Sequence, residues 1–383
     1  MDPAKLGERL RVARGAAGLT QEHAAEKLGV ARTTLVAIEG GDRQPRPEEL
    51  VALAALYGVG VHSFLRPTAV RVDLVGQFRR KSTGRAGKAD REGVQALTLL
   101  HDLAAAYVEL EHRLHKVTPI DYPPERRPGR GRLDKQAEEL AAELRSRLGL
   151  GLGPIPDLVG LLELELGLRV FVRALPSSIA GVYAFHDELG ACVLLNRLHR
   201  RARRRWTLAH ELAHFLTTRR EPSIAFTLVG KHPDDVFADA FAAAFLMPSA
   251  TVRRIFDEYV GQEGRFSARH LILGAHRLGV SVEAFTRQLE RLELLPQGTY
   301  DSVKDRGLDE EAVQRVLGSQ EEGESTEPGA RLLMLAAEAH EQGLYSEGQL
   351  ADMLVMDRVE LRRAIDAFTS VDAIDAAIEA HAG

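Results

Sequence analysis

The sequence predicts a mostly α protein of several domains, and three observations carry that expectation. Apolar residues recur at helical spacing through most of the 383 residues. Runs that read as strands are confined to 168–174, 180–186 and 190–196. Three stretches interrupt the pattern: 79–91 is basic and contains glycine, 118–131 is rich in proline and glycine, and 318–330 is acidic and small. The expected architecture is a bundle of short helices over 1–70, then a linker and connecting helix over 71–130. An α+β domain with a small sheet follows over 131–300, and a helical module closes the chain over 301–383.

Composition narrows the function classes. The chain is 45% hydrophobic and 27% charged, the balance of a globular protein. Its net charge of −5 excludes a general polycation, so any contact with nucleic acid has to come from a local surface. The single cysteine, Cys192, lies in an apolar run and reads as a core strand residue. No secretory apolar segment opens the sequence and no apolar stretch reaches the ~18 residues of a bilayer span, so the expected location is the cytoplasm, with no membrane partner.

In the first block, Leu6 to Ala16 reads as one helix. Thr20 is placed to cap a second that runs through Leu28, and Gly29 makes a turn. Ala31 to Glu39 forms a third helix stopped by Gly40-Gly41, and Pro47 to Tyr57 a fourth. Two helices joined by a glycine turn, with Ala25, Leu28, Val30, Leu35 and Ile38 facing inward, follow the helix-turn-helix plan. The run Leu19-Thr20-Gln21-Glu22, Ala25, Leu28-Gly29-Val30, Thr34, Ile38-Glu39-Gly40-Gly41 and Pro45 resembles the XRE family of phage-repressor-like regulators. That resemblance implies double-stranded operator DNA as partner and a homodimer as the binding form. It places Arg32, Thr33, Thr34, Val36 and Ala37 of helix three toward base edges and Gln21 near the DNA backbone. The block holds nine Lys or Arg against eight Asp or Glu, a weak electrostatic drive for a DNA reader.

A helix over 92–117 follows, carrying His101, His112 and His115 without the carboxylate or cysteine pattern of a metal site.

The central block carries Trp206-Thr207-Leu208-Ala209-His210-Glu211-Leu212-Ala213-His214. Residues four apart share a helix face, so His210 and His214 can reach one ion while Glu211 points at its water. Zn2+ needs one more ligand and an open position. The segment from Asp234 to Pro248 offers Asp235 and Asp239, again four apart. One can bind the metal while the other orients a histidine ring. Together these segments resemble the ImmA/IrrE family of metallopeptidases, which implies a gluzincin-like α+β domain, Glu211 as catalytic base and cleavage of XRE-type repressors. The family's glutamate ligand falls on Asp235, one methylene shorter, and its usual Asp/Asn on Asp239. The resemblance also brings Tyr183 and Asn196 near the cleft, with Tyr183 as a candidate oxyanion donor.

Six arginines (Arg197, Arg200, Arg201, Arg203, Arg204 and Arg205) crowd into nine residues just before this helix. They read as a solvated face, or as a surface for an acidic peptide, a phosphate or the DNA backbone. Further on, Leu344 to Arg362 forms a helix pair with Ser346 and Asp357 as caps, suited to a second helix-turn-helix or a small bundle.

The expected function is a DNA-binding regulator whose zinc metallopeptidase domain cleaves a separate repressor, or the chain itself within 79–91. Two alternatives stand beside it. One is a non-hydrolytic sensor whose peptidase-derived domain binds an effector, a layout similar to regulators of short-chain acyl metabolism. The other is an antitoxin or phage-defence component.

Overall fold

A computed structural model describes residues 3–57, 61, 64, 74, 88–117, 121–226, 233–317 and 329–367. The basic stretch 79–87, residues 118–120 and the acidic stretch 318–328 lie outside the described residues. The chain divides into two compact units. One comprises Met1–Pro119, His186–Leu189 and Ala330–Gly383; the other comprises Ile120–Phe185 and Gly190–Gly329.

The first unit begins with α1 (Pro3–Ala16), α2 (Gln21–Leu28), α3 (Arg32–Gly40) and α4 (Pro47–Tyr57). Thr20 caps α2 by accepting from the His23 N–H at 3.1 Å, and Gly29 ends it in the left-handed region. Leu10, Ala24, Leu35, Ile38 and Leu53 close the core between the four helices. Each buried leucine or isoleucine side chain there contributes roughly 1.5–3 kcal/mol. Two glycines let α1 and α3 meet. A Cβ on Gly7 would lie 2.6 Å from the carbonyl oxygens of Ile38 and Glu39, and one on Gly41 (φ 83°) would lie 2.6 Å from the Ala4 Cα. Beneath this contact Glu39 is buried and accepts three bonds, two from Arg14 (2.6 and 3.0 Å) and one from Gln21 Nε2 at 2.9 Å. The helix-turn-helix is thus pinned from inside by one carboxylate.

The same unit contains the connecting helix α5 (Lys88–Arg113), which packs against two helices from the far end of the chain. Glu109 and Glu111 of α5 are buried. Glu109 accepts from the Tyr345 hydroxyl at 2.7 Å, and Glu111 from Arg331 at 3.1 Å.

The second unit holds α6 (Leu133–Arg147), α7 (Leu158–Leu166), β1 (Arg169–Arg173), β2 (Ile179–His186), β3 (Gly190–Asn196), α8 (Arg201–Thr217), β4 (Ser223–Phe226), α9 (Pro233–Leu246), α10 (Ser249–Glu263), α11 (Ala268–Leu278), α12 (Val282–Arg291), α13 (Thr299–Asp305) and α14 (Glu310–Leu317). The strands order β1-β3-β2-β4, with β1 parallel to β3 and β2 antiparallel to β4. The three apolar runs are the first three strands of this sheet, and β3, which carries Cys192, is buried at every position. The fourth strand, at the edge, is four residues long, too short for alternation to mark it. Asn196 ends β3 and ties down the loop before β2. Its side-chain amide donates to Leu175, Pro176 and Ile179 carbonyls and accepts from the Leu175 and Leu198 N–H groups.

Back in the first unit, α15 (Ala330–Glu341) and α16 (Glu347–Leu354) are followed by helical residues at 358–367. Ser346 and Gln349 form a reciprocal capping box on α16, and Asp357 accepts from the Val359 N–H at 2.8 Å. No single described helix is long and apolar enough to cross a membrane. The apolar pair α9 and α10, bent by 52°, supplies Phe241, Phe245, Val252 and Ile255 to the core instead.

Candidate metal centre

Helix α8 packs on β3 and β4, and α9 packs along α8. A Cβ on Gly181 of β2 would meet the Thr207 Cγ2 at 2.6 Å, so strand and helix approach as closely as backbone allows. Every residue of α8 from Thr207 to Thr217 is buried. The contacts of Trp206 and His210 with Asp239, and of His214 with Asp235, run in opposite directions along the two helices, which are therefore antiparallel.

Three ligand atoms converge between them. The His210 and His214 Nε2 atoms are 3.3 Å apart, and Asp235 Oδ1 lies 3.8 Å from the first and 3.6 Å from the second. A point equidistant from three atoms at these separations lies about 2.1 Å from each, the length of a zinc–nitrogen or zinc–oxygen bond. Among the described residues this is the group of histidine and carboxylate side chains placed to share an ion. The histidines are almost wholly buried while Asp235 is 38% exposed, so the open side lies beside the carboxylate. The shorter side chain of aspartate is matched by the close packing of α9 on α8.

Asp239 takes the other position. Its Oδ1 lies 3.0 Å from His210 Nδ1 and accepts a longer bond, 3.4 Å, from the Trp206 indole. With Nδ1–H directed at the carboxylate, the Nε2 lone pair faces the ligand set. Burial lowers the basicity of His210, but the hydrogen bond to Asp239 and the charge of Glu211 outweigh it and the net shift is upward.

Glu211 is fully buried. Its Oε2 accepts from the Ser223 hydroxyl at 2.5 Å, and its Oε1 has no hydrogen-bond partner among the described residues. A buried carboxylate oxygen without a donor is costly, by about 1–3 kcal/mol, and marks a place where a water or substrate proton fits. Ser223 sits on the edge strand, and no spacing rule in the sequence points to it. Trp206, one turn before His210, can be found by counting back along the helix face. Tyr183 lies on the core side: its hydroxyl donates to the Arg219 carbonyl at 2.8 Å, and burial raises its pKa well above the ordinary phenol value.

On the helix-turn-helix, Arg32, Thr33 and Val36 are exposed along α3, while Thr34 and Ala37 are half-buried. Gln21 is half-buried with its amide on Glu39. The helix-turn-helix residues and the histidines of α5 belong to the first unit and the metal centre to the second, and those histidines join no ligand group among the described residues.

Comparison with known proteins agrees with this division. Residues 5–63 match the family model of a helix-turn-helix domain, and residues 164–290 match that of the IrrE N-terminal-like domain. No curated protein matches the chain. Among solved structures, PlcR of Bacillus thuringiensis in complex with the peptide PapR7 and DNA is similar at 12% identity over 98% of each chain, with a TM-score of 0.19. ComR from Streptococcus suis is similar at 11% identity over 97% of this chain and 96% of that one, with a TM-score of 0.16. Scores this low do not describe a shared architecture.

Proposed function

We propose that this chain, a helix-turn-helix DNA-binding domain fused to an IrrE N-terminal-like domain, is a cytoplasmic transcriptional regulator whose central domain is a zinc-dependent endopeptidase. Its substrate would be an XRE-type repressor or the chain itself, and its operator-bound form a homodimer. The observation that carries the reading is the convergence of His210, His214 and Asp235 at zinc-bonding separations beside the unpartnered Oε1 of Glu211.

A zinc ion held by these three side chains supplies Lewis-acid activation of water and of the scissile carbonyl. The protein's own groups do the rest. Asp239 fixes the His210 tautomer and ring plane. Ser223 holds Oε2 of Glu211, which leaves Oε1 as the atom that takes the proton of the attacking water and passes it to the departing amine. Substrate would enter from the Asp235 side.

Metal analysis comes first: one zinc per wild-type chain, lost in His210→Ala and Asp235→Ala. Zinc-loaded wild type should then cut an XRE-type repressor or itself, and Glu211→Gln should not. A metal-free wild type after zinc-replete expression would remove the enzyme reading. Two features favour the non-hydrolytic effector sensor: Glu211 is closed off from solvent, and Tyr183 has committed its proton to Arg219. That reading predicts a Glu211→Gln protein that still binds zinc and DNA and still responds to the inducing signal.

A further inference from the structure

The arginine run at 197–205 serves the fold. Arg205 is buried and donates to the carbonyl oxygens of Ile155, Pro156 and Gly279, Arg204 to those of Arg197 and His199, and Arg201 to that of Pro156. The C-terminal helix pair is different: it repeats the helix-turn-helix backbone position for position. Thr20 caps α2 and Ser346 caps α16, each accepting from the N–H three residues on. Eight helical residues follow in both, Gln21–Leu28 and Glu347–Leu354. Gly29 (φ 67°) and Val355 (φ 51°) then turn in the left-handed region. The next N–H closes each turn in the same way, Val30 onto the Ala25 carbonyl at 3.0 Å and Met356 onto the Ala351 carbonyl at 2.9 Å. A second helix starts at Arg32 in one pair and at Arg358 in the other. The shift is the same, 326 positions, from Thr20 to Ser346, from Gly29 to Val355 and from Arg32 to Arg358.

The interior repeats as well. Ala24, Ala25 and Leu35 are buried, and so are Leu350, Ala351 and Leu361 at the same shift. As α4 packs on α1 and α2, so α5 packs on α15 and α16. One position departs. Val355 is β-branched and disfavours the left-handed region that Gly29 enters freely, and at 49% exposed it recovers little by packing. The flanking helices impose the turn against the local preference. α11 and α12 also meet at a left-handed glycine, Gly279, but α11 is eleven residues long and the eight-residue plan is lost.

The copy leaves outside the face with which a helix-turn-helix meets DNA, where the N-terminal residues of the second helix reach base edges. Arg32, Thr33 and Ala37 correspond to Arg358, Val359 and Arg363, and these last three are all exposed. Arginine matches guanine O6 and N7, and an apolar side chain matches the thymine methyl. Two acids beside this face are held by the fold. Glu347 accepts from Arg362, and Asp357 accepts from the N–H groups of Val359 and Glu360. We infer that α16 and the helix over 358–367 form a second helix-turn-helix, which sets Arg358, Val359 and Arg363 against base edges in the major groove of duplex DNA. DNA is favoured over a protein partner because arginines stand at the base-reading positions. The first helix-turn-helix also brings a duplex to the same chain, so the second meets it at the high effective concentration of a tethered site.

The test is selection by the full chain from a randomised duplex library of about 30 base pairs, room for two half-sites one helical turn apart. Wild type should select two unlike motifs. Arg32→Ala with Thr33→Ala should lose one of them, and Arg358→Ala with Arg363→Ala the other. In fluorescence anisotropy the second pair of changes should lower the preference for the selected duplex over a scrambled one by at least about tenfold, since one arginine–guanine contact is worth roughly 5- to 150-fold. Should that double variant fail to fold, Arg363→Ala alone should lower the preference by roughly fivefold or more. A folded Arg358→Ala, Arg363→Ala variant that selects the same motifs with unchanged preference overturns the inference. So does a wild type that selects a single motif, lost with Arg32→Ala and Thr33→Ala and untouched by the C-terminal changes; that result keeps the first helix-turn-helix as the DNA reader and makes the second a packing module.

Discussion

Altering Asp239 should weaken zinc binding by amounts that separate its charge from its shape. Asp239 Oδ1 is 3.0 Å from His210 Nδ1, and that contact keeps the Nε2 lone pair on the ligand side. Asp239→Asn keeps an oxygen acceptor and loses the charge, at an expected cost of about tenfold in affinity. Asp239→Ala leaves the ring N–H of a 9%-exposed histidine with no acceptor at that position and lets the imidazole turn, at about 100-fold. These losses correspond to about 1.4 and 2.7 kcal/mol. Asp235→Ala removes an atom that stands 3.6–3.8 Å from both histidine nitrogens, a ligand rather than a support, and should cost more than either. The assay is zinc competition against a chromophoric chelator at neutral pH. Emission from Trp206, the only tryptophan, whose indole donates to Asp239, provides a second readout. Wild-type affinity in Asp239→Ala would refute the orienting role, and a larger loss there than in Asp235→Ala would exchange the two roles.

Three further outcomes follow from the same geometry. The raised pKa of His210 means that protons compete with zinc above the ordinary histidine range. Apparent zinc affinity should therefore begin to fall once pH drops below that raised value, and Asp239→Asn, by removing the leading upward contribution, should move the onset of proton competition to lower pH in a pH-resolved metal titration. Ser223→Ala leaves both oxygens of the buried Glu211 without a side-chain donor and should lower the unfolding free energy in urea by about 1–3 kcal/mol while zinc per chain stays the same; a concomitant loss of zinc would show that Ser223 supports the ligands as well. Glu39→Ala strands Arg14 and Gln21 inside the helix-turn-helix and should cost about 3 kcal/mol, with loss of DNA binding; a variant within ~0.5 kcal/mol of wild type would remove Glu39 as the pin of that domain.

The apolar strands and the metal-binding helix are visible in the sequence because each is a local pattern. The run Ala191 to Leu195 is continuous in apolar residues, and His210 and His214 sit at helical spacing inside a buried helix. Asp235 and Asp239 are also visible as a pair, but spacing alone leaves open which faces the ion. That depends on how two antiparallel helices register, and the structure puts Asp235 on the two Nε2 atoms and Asp239 on Nδ1. Ser223 is hidden because it belongs to an edge strand too short to show periodicity. Arg205 is hidden inside a run whose other members are mostly solvent-facing. Glu109 and Glu111 look like the polar face of a connecting helix, and their partners Tyr345 and Arg331 lie more than 200 residues away, beyond any local rule.

The order of the two units along the chain has a consequence for any regulator that cuts itself. The metal-bearing unit is inserted between two stretches of the other unit, 1–119 and 330–383. Those stretches clasp through Tyr345 on Glu109, Arg331 on Glu111 and Lys116 on Glu338. One broken peptide bond inside the insert therefore leaves the DNA-binding head attached to its C-terminal helices by packing and buried polar contacts, though no longer by an unbroken backbone. Full release after such a cut would need the clasp to open as well, whereas a cut within 79–91 would sever the backbone between the DNA-binding head and the clasp itself.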